Sequence, residues 1–304
     1  MRPGLLLASA IGDGYGAGFE FATPEFVAGN NDLCYHPHPL GEIKAGRYTD
    51  DTQMAIGLTE FLLQKERTPI HLARHFVLAF KRDPRHGYNG NFYKFLSSVR
   101  NGTDFLQRIR PNSDRSGGAM RAAPCGMLPT LEETIDMAMW QASITHATRD
   151  GMNAAAAVAA LVWACRQGVP LEDLPFFLED TIPGYQWDVP WQDPVPNKGV
   201  PVVSAVLTVL TSHTSVTEML KASVAFTGDV DTVAALVLAA ASQHPDAIWD
   251  LRHSLFDQLE ADGKYGVEYL DQLDDALEVA YPKPEISKSA TDINDIFAGI
   301  IAND

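Results

Sequence analysis

Two short segments, far apart in the chain, carry the same pattern of oxygen-bearing side chains. Thr49-Asp50-Asp51-Thr52 and Asp229-Val230-Asp231-Thr232 each place two carboxylates and a hydroxyl just ahead of an apolar run of helical character. If folding brings them together, four acids face one another. Two such charges about 4 Å apart repel by roughly 4 kcal/mol at the effective dielectric of a partly buried site, so a cluster of this kind calls for cations. Neither segment contains Cys or His, and an all-oxygen donor set implies a hard ion such as Mg²⁺ or Mn²⁺ rather than Zn²⁺. The competing reading is helix capping, since Thr and Asp are ordinary N-cap residues and negative charge is favourable at the positive end of a helix. A cap needs one side chain, and the second acid of each pair is surplus to it.

The elements that must position these acids read as helices. Apolar residues recur at helical spacing over Thr52 to Glu66, Pro69 to Lys81, Phe92 to Arg100, Leu131 to Ala142, Met152 to Arg166, Val202 to Thr211, Val216 to Ala225 and Thr232 to Ser242. Alternating β-branched or aromatic runs bounded by turns are scarce, so the expectation is an all-α fold. The stretches Ala154 to Ala160 and Ala234 to Ala241 are dense in alanine, which suits close helix approach at the centre of the body. The Leu5-Leu6-Leu7-Ala8-Ser9-Ala10 run faintly resembles a signal peptide, but it is at the short end of about 7 to 15 apolar residues. A buried first helix is the preferred reading.

The 304 residues are 46% hydrophobic and 20% charged, enough for a sizeable core and unlike a disordered chain. No linker divides residues 1–285, which read as a single domain. The tail, 286–304, reads as a linker followed by a short amphipathic helix from Ile293 to Ile301. A formal net charge of -16 argues against a nucleic-acid partner, and no apolar stretch reaches the roughly 20 residues that span a membrane. Three cysteines without a CxxC pair indicate neither a disulfide framework nor a thiolate metal site, and a reducing cytoplasm fits best.

Two long loops interrupt the helices. Residues 28–47 contain His36-Pro37-His38-Pro39, which reads as an extended surface loop in preference to a pair of metal ligands. Residues 183–199 hold Tyr185, Trp187 and Trp191, aromatics suited either to stacking on a base or to pinning the loop on the core.

Gly12-Asp13-Gly14-Tyr15-Gly16 leading to Glu20, then Thr49 to Met54, then Thr227 to Thr232, together resemble the ADP-ribosylglycohydrolase family. Ser116-Gly117-Gly118-Ala119-Met120-Arg121 resembles that family's phosphate-facing turn, and Ser143-Ile144-Thr145-His146 its Ser-x-x-Thr-His segment. The resemblance implies a compact orthogonal helical bundle of the ADP-ribosylglycohydrolase type. It also implies a binuclear centre of two Mg²⁺ (or Mn²⁺) held by Thr49, Asp50, Asp51, Asp229, Asp231 and Thr232. Glu20 corresponds to the acid beside the metals, Asn89 to a polar contact near the distal ribose, and His146 to a phosphate or ribose contact. The backbone of Gly117, Gly118, Ala119 and Met120 would cradle a pyrophosphate, and Ser116 stands where many relatives carry Asn.

The implied reaction is hydrolysis of the bond between C1 of the distal ribose and a protein side chain, with Asp51 or Glu20 as base and Asp114 at the leaving group. Tyr185 is the aromatic candidate for the base of the ligand. An ADP-ribosylated protein, arginine-linked by analogy, is the expected substrate and ADP-ribose the product. Serine-linked or O-acyl-ADP-ribose, a modified nucleobase, a phosphoester, a non-catalytic ADP-ribose-binding module and a toxin-neutralising immunity protein are the alternatives.

Overall fold

Alanine determines what sits at the centre. In the computed structural model, which describes residues 2–41, 43–261 and 263–283, the two alanine-rich helices are buried through most of their length. In chain order the helices are α1 (Leu5–Gly16), α2 (Pro24–Asn30), α3 (Asp50–Leu62), α4 (Pro69–Arg82), α5 (Gly90–Ser98), α6 (Gly102–Arg108), α7 (Leu131–His146), α8 (Arg149–Gln167), α9 (Leu174–Thr181), α10 (Gly199–Ser212), α11 (Val216–Ala225), α12 (Val230–Gln243), α13 (Ser254–Asp257) and α14 (Val267–Ala280). Among the described residues there is no strand, only isolated bridges, so the fold is all-α as the periodicity predicts. None of these helices is long and apolar enough to cross a membrane. The tail helix expected over 286–304 lies outside the described residues.

The Leu5 run folds as α1, every residue of which is buried. It packs on α12 at very short range because Gly12 and Gly16 fall on one face: a Cβ at Gly12 would lie 2.2 Å from Ala234 O, and one at Gly16 would lie 2.4 Å from Asp231 Cα. Two apolar cores result. The larger joins α1, α8, α10 and α12. The smaller gathers Phe61, Phe76, Phe80 and Phe105 from α3, α4 and α6, with Phe95 and Phe105 in an edge-to-face contact at 5.1 Å. Helix α3 serves both, giving Ala55 and Ile56 to the larger and Met54, Leu58 and Phe61 to the smaller.

Candidate metal centre and ligand pocket

At the start of α3, Thr49 does what a cap does: its Oγ1 accepts the Asp51 N–H at 3.3 Å. The turn is further secured from α1. Asp13, fully buried, accepts Thr49 N–H at 2.9 Å, Thr52 N–H at 3.0 Å and the Thr52 hydroxyl at 2.6 Å. With the N–H groups of Asp51 and Thr52 met by Thr49 and Asp13, Asp50 and Asp51 line the pocket. Behind them, Glu260 is buried and accepts Tyr48 N–H at 3.0 Å and Arg47 Nη1 at 2.5 Å, and it pairs with Arg85. Arg85 in turn donates to Tyr48 O at 3.1 Å, fastening the loop after α4 to the acidic turn. Gly87 in that loop has φ +107, and a Cβ there would fall 2.1 Å from Asp50 Oδ1.

The α12 turn is built differently. Asp229 occupies the N-cap position without making a side-chain cap; its Oδ1 accepts the Thr232 hydroxyl at 3.3 Å. Its backbone is fixed by the 183–199 loop, where Val195 accepts Asp229 N–H at 2.8 Å and donates to Thr227 O at 2.9 Å. Gly228 (φ +88) makes this possible, since a Cβ there would meet Val195 O at 2.1 Å. Gly228 O accepts Phe21 N–H at 2.9 Å, which brings Glu20 to the same place. Non-glycine residues with positive φ gather around this turn, Phe21 at 52° and Thr227 at 64°, as expected where a site stores backbone strain.

Glu20, Asp229 and Asp231 each offer a carboxylate oxygen within 4.8 Å of the others. Asp51 Oδ2, Asp229 Oδ2 and Asp231 Oδ1 are buried without a hydrogen-bond partner. Unpaired buried carboxylate oxygens are costly, and burial with mutual repulsion pushes Asp50, Asp51 and Asp231 well above the ordinary carboxylate range. Asp229 is pushed up to about 7 by burial and by Glu20, against hydrogen bonds from Ser116 and Thr232. This donor set is hard, anionic and unsatisfied, and it fits divalent cations of the Mg²⁺ type.

The acids line one end of a cavity of 730 Å³. Ser116, Gly117, Met120 and His146 form an adjoining wall, and Asn89 and Phe92 face them from the start of α5. Gly118 and Ala119 are buried behind this wall. The N–H groups of Ala119 and Met120 are already bonded to Ser116 O at 2.8 and 2.9 Å, so the expected four-residue cradle narrows to the Ser116 and Gly117 edge.

Arg121 sits beneath it, buried, and among the described residues no carboxylate pairs with it. It donates to Gly117 O at 2.7 Å, Gln141 Oε1 at 2.7 Å and Thr145 Oγ1 at 2.8 Å, and lies over the Phe76 ring. Burial lowers it to about 9. The Thr145 hydroxyl, used as acceptor by Arg121, stands 2.7 Å from His146 Nδ1 and 3.4 Å from Ala142 O; a proton given to the nearer of these acceptors leaves Nε2 as the protonated nitrogen beside Gly117. Burial first and Arg121 second lower His146 to about 3, so this ring is a neutral donor.

Two expectations do not follow the site. Asp114 is half exposed, ion-paired with Lys198 at 2.5 Å and outside the cavity lining; the Lys198 bond holds it below the usual carboxylate range, the wrong direction for an acid that must donate. Tyr185 also lies outside the lining. Its hydroxyl bonds Asp150 at 2.8 Å and its ring packs on the buried Trp187, so this loop's aromatics pin it to the core. The aromatic rings that do line the cavity are Phe21, Phe92 and Phe95.

The expectation of a surface loop likewise fails at His38, which is buried and bonded to Glu20 at 2.9 Å. Asp13, Arg85, Arg121 and Glu260 were given no role from the sequence. Asp13 and Arg121 stand inside motifs legible there, Gly12 to Gly16 and Ser116 to Arg121, while Arg85 and Glu260 carry no such signal.

An all-α body with acidic helix starts beside a glycine turn defines the class that the motifs resembled. The sequence matches the ADP-ribosylglycohydrolase family over residues 3–247, and the chain belongs to that family. Among curated relatives, ADP-ribosylhydrolase ARH3 of Bos taurus is 31% identical over 176 residues, which cover 54% of this chain and 48% of the relative. ADP-ribosylarginine hydrolase Tri1 of Serratia proteamaculans (strain 568) is 26% identical over 159 residues, 49% of this chain and 43% of the relative. The chain thus spans about half the length of the curated relatives it matches. A solved structure described as an ADP-ribosylglycohydrolase-related protein complex aligns with a TM-score of 0.66 at 21% identity, over 91% of this chain and 96% of that chain, which establishes the shared fold.

Proposed function

We propose that this protein is a divalent-metal-dependent hydrolase that removes ADP-ribose from modified protein side chains, arginine-linked ADP-ribose first among them. The observation that carries this reading is the convergence in one cavity of Glu20 and the unpaired acids at the starts of α3 and α12 with the Ser116 and Gly117 edge and the neutral His146 donor. One end takes cations and the other takes an anion, as a sugar diphosphate requires. In an acidic chain, backbone and neutral donors hold phosphate oxygens without a cationic surface.

Asp50, Asp51, Asp229 and Asp231, with Glu20 beside them, would hold a pair of Mg²⁺ or Mn²⁺ ions, and Thr49 and Thr232 brace the two turns. When bound, such ions neutralise the acids, acidify a coordinated water and grip vicinal hydroxyls. Glu20 and Asp51 are the groups positioned to accept the proton of the water that adds to C1 of the distal ribose as the bond to the side-chain nitrogen or oxygen breaks, and to return that proton to the departing atom. His146 Nε2 and the Ser116 and Gly117 edge fix the pyrophosphate, and Asn89 orients the distal ribose. Asp114 and Tyr185 take no part.

The name of the Serratia relative points to arginine linkage. The test is to incubate the protein with arginine-ADP-ribosylated and serine-ADP-ribosylated peptides, with Mg²⁺ and with chelator. Metal-dependent release of ADP-ribose from the arginine peptide is the expected result. Tight binding of ADP-ribose with no release from either peptide would instead identify a binding module.

A further inference from the structure

We propose that His38 is a positioning residue that holds Glu20 against the metal-binding acids; this rests on the metal-dependent reading given above. The His38 imidazole approaches Glu20 from outside the cavity, with Nε2 to Glu20 Oε2 at 2.9 Å, and the two side chains are only 7% and 14% exposed. Its Nδ1 accepts the Leu40 N–H at 3.1 Å. A nitrogen that accepts from a backbone donor carries no proton of its own, so Nε2 bears the hydrogen and donates it to the carboxylate.

The histidine is held on both sides. Its N–H donates to Ile43 O at 2.9 Å, its carbonyl accepts Gly41 N–H at 2.7 Å, and Pro37 and Pro39 restrict the flanking backbone to extended forms. Glu20 has no comparable anchor of its own. It lies in the turn after α1, and among the described contacts only His38 hydrogen-bonds its side chain, while Asp229 and Asp231 stand within 4.8 Å.

A glutamate free to rotate would lose side-chain entropy on being fixed, and repulsion from the two aspartates would turn it outward. The His38 bond removes one oxygen from that competition and leaves the remaining lone pairs for the cavity. This is the outer-shell arrangement by which a partner orients a ligand, and loss of such partners typically costs 10- to 100-fold in metal affinity. His38 does not line the cavity, so it acts through Glu20 and touches no substrate.

The experiment uses the full chain and three proteins: wild type, His38→Phe and His38→Gln. Glutamine places an amide N–H where the imidazole Nε2–H stood, while phenylalanine keeps the ring and removes the donor. Mn²⁺ affinity is read by the electron paramagnetic resonance signal of the free ion, with thermal unfolding as a check that each variant folds. The expected result is a 10- to 100-fold weaker affinity in His38→Phe and recovery to within about threefold of wild type in His38→Gln, with kcat following the same order and KM nearly constant. Wild-type affinity in His38→Phe would overturn the proposal. So would equal impairment of both variants, which would indicate loop packing in place of the donated hydrogen bond. If the Mn²⁺ ranking holds but wild type releases no ADP-ribose, the hydrolase reading fails and the role of His38 stands.

Discussion

Asp13 and Thr52 meet at 2.6 Å, the hydroxyl of Thr52 donating to Asp13 Oδ2, and through this contact α1 becomes the support for the start of α3. The same carboxylate takes the backbone N–H groups of Thr49 and Thr52, work that the two acids between them are spared. Asp13→Ala strands these donors in a buried place. Leaving such groups unpaired costs about 1–3 kcal/mol each, and relaxation of the turn toward the cavity recovers part of it. A loss of about 3 kcal/mol in urea unfolding is expected, together with weakened Mn²⁺ binding. Asp13→Asn, which keeps one acceptor oxygen, should lose less of both.

The unpaired acids make the metal-free protein less stable than it need be. Asp231→Asn removes one charge from a group that burial and neighbouring carboxylates already disfavour. In chelator the variant should unfold at a higher temperature than wild type. Saturating Mn²⁺ should reverse the order, because a ligand at 100 times its Kd stabilises wild type by about 2.7 kcal/mol and the variant has lost part of its site. Differential scanning calorimetry with and without Mn²⁺ reads both signs; a variant that is destabilised in chelator would contradict the account.

His146 should act as a fixed neutral donor. Burial and Arg121 hold it near 3, so ADP-ribose affinity should show no titration of this ring between pH 5 and 8. His146→Phe should weaken ADP-ribose binding by roughly tenfold, about 1.4 kcal/mol, the scale of one hydrogen bond to a charged acceptor. Thr145→Val, which removes the hydroxyl that sets the tautomer, should weaken it in the same direction. Isothermal titration calorimetry across this pH range checks both.

Away from the site, Asp274 supports α1 from α14, its two oxygens accepting Leu6 and Leu7 N–H at 2.8 and 3.0 Å. Burial raises it to about 7, against those two bonds, from an ordinary 3.8. Between these values the unfolded chain has released a proton that the folded chain retains, so this group's contribution to stability falls as pH rises from about 4 to about 7 and is level above. Asp274→Asn should flatten that part of the stability profile, as measured by urea unfolding at a series of pH values.

How far the sequence reaches depends on how local the cause is. The helix from Val216 to Ala225 has the ends read from its periodicity, and Pro69 marks the start of α4, because caps and prolines act over a few residues. The short helices α2 and α6 have too few periodic apolar positions to stand out, whereas α14 does carry the spacing, at Val267, Leu270, Leu273 and Leu277. Asp229 and Asp231 were legible because two acids exceed what one cap uses. His38 was not, because its partner Glu20 is 18 residues away and a Pro-His-Pro segment looks the same on a surface as in a seam. Tyr185 misled for the converse reason: an aromatic in a long loop carries no sign of which way the loop folds.

The most direct measurement is the anomalous scattering of Mn²⁺ in crystals soaked with the ion. The account predicts two peaks bounded by Glu20, Asp50, Asp51, Asp229 and Asp231, with at least one lost in Asp231→Asn. Metal-saturated crystals in which these carboxylates bind no ion would contradict it.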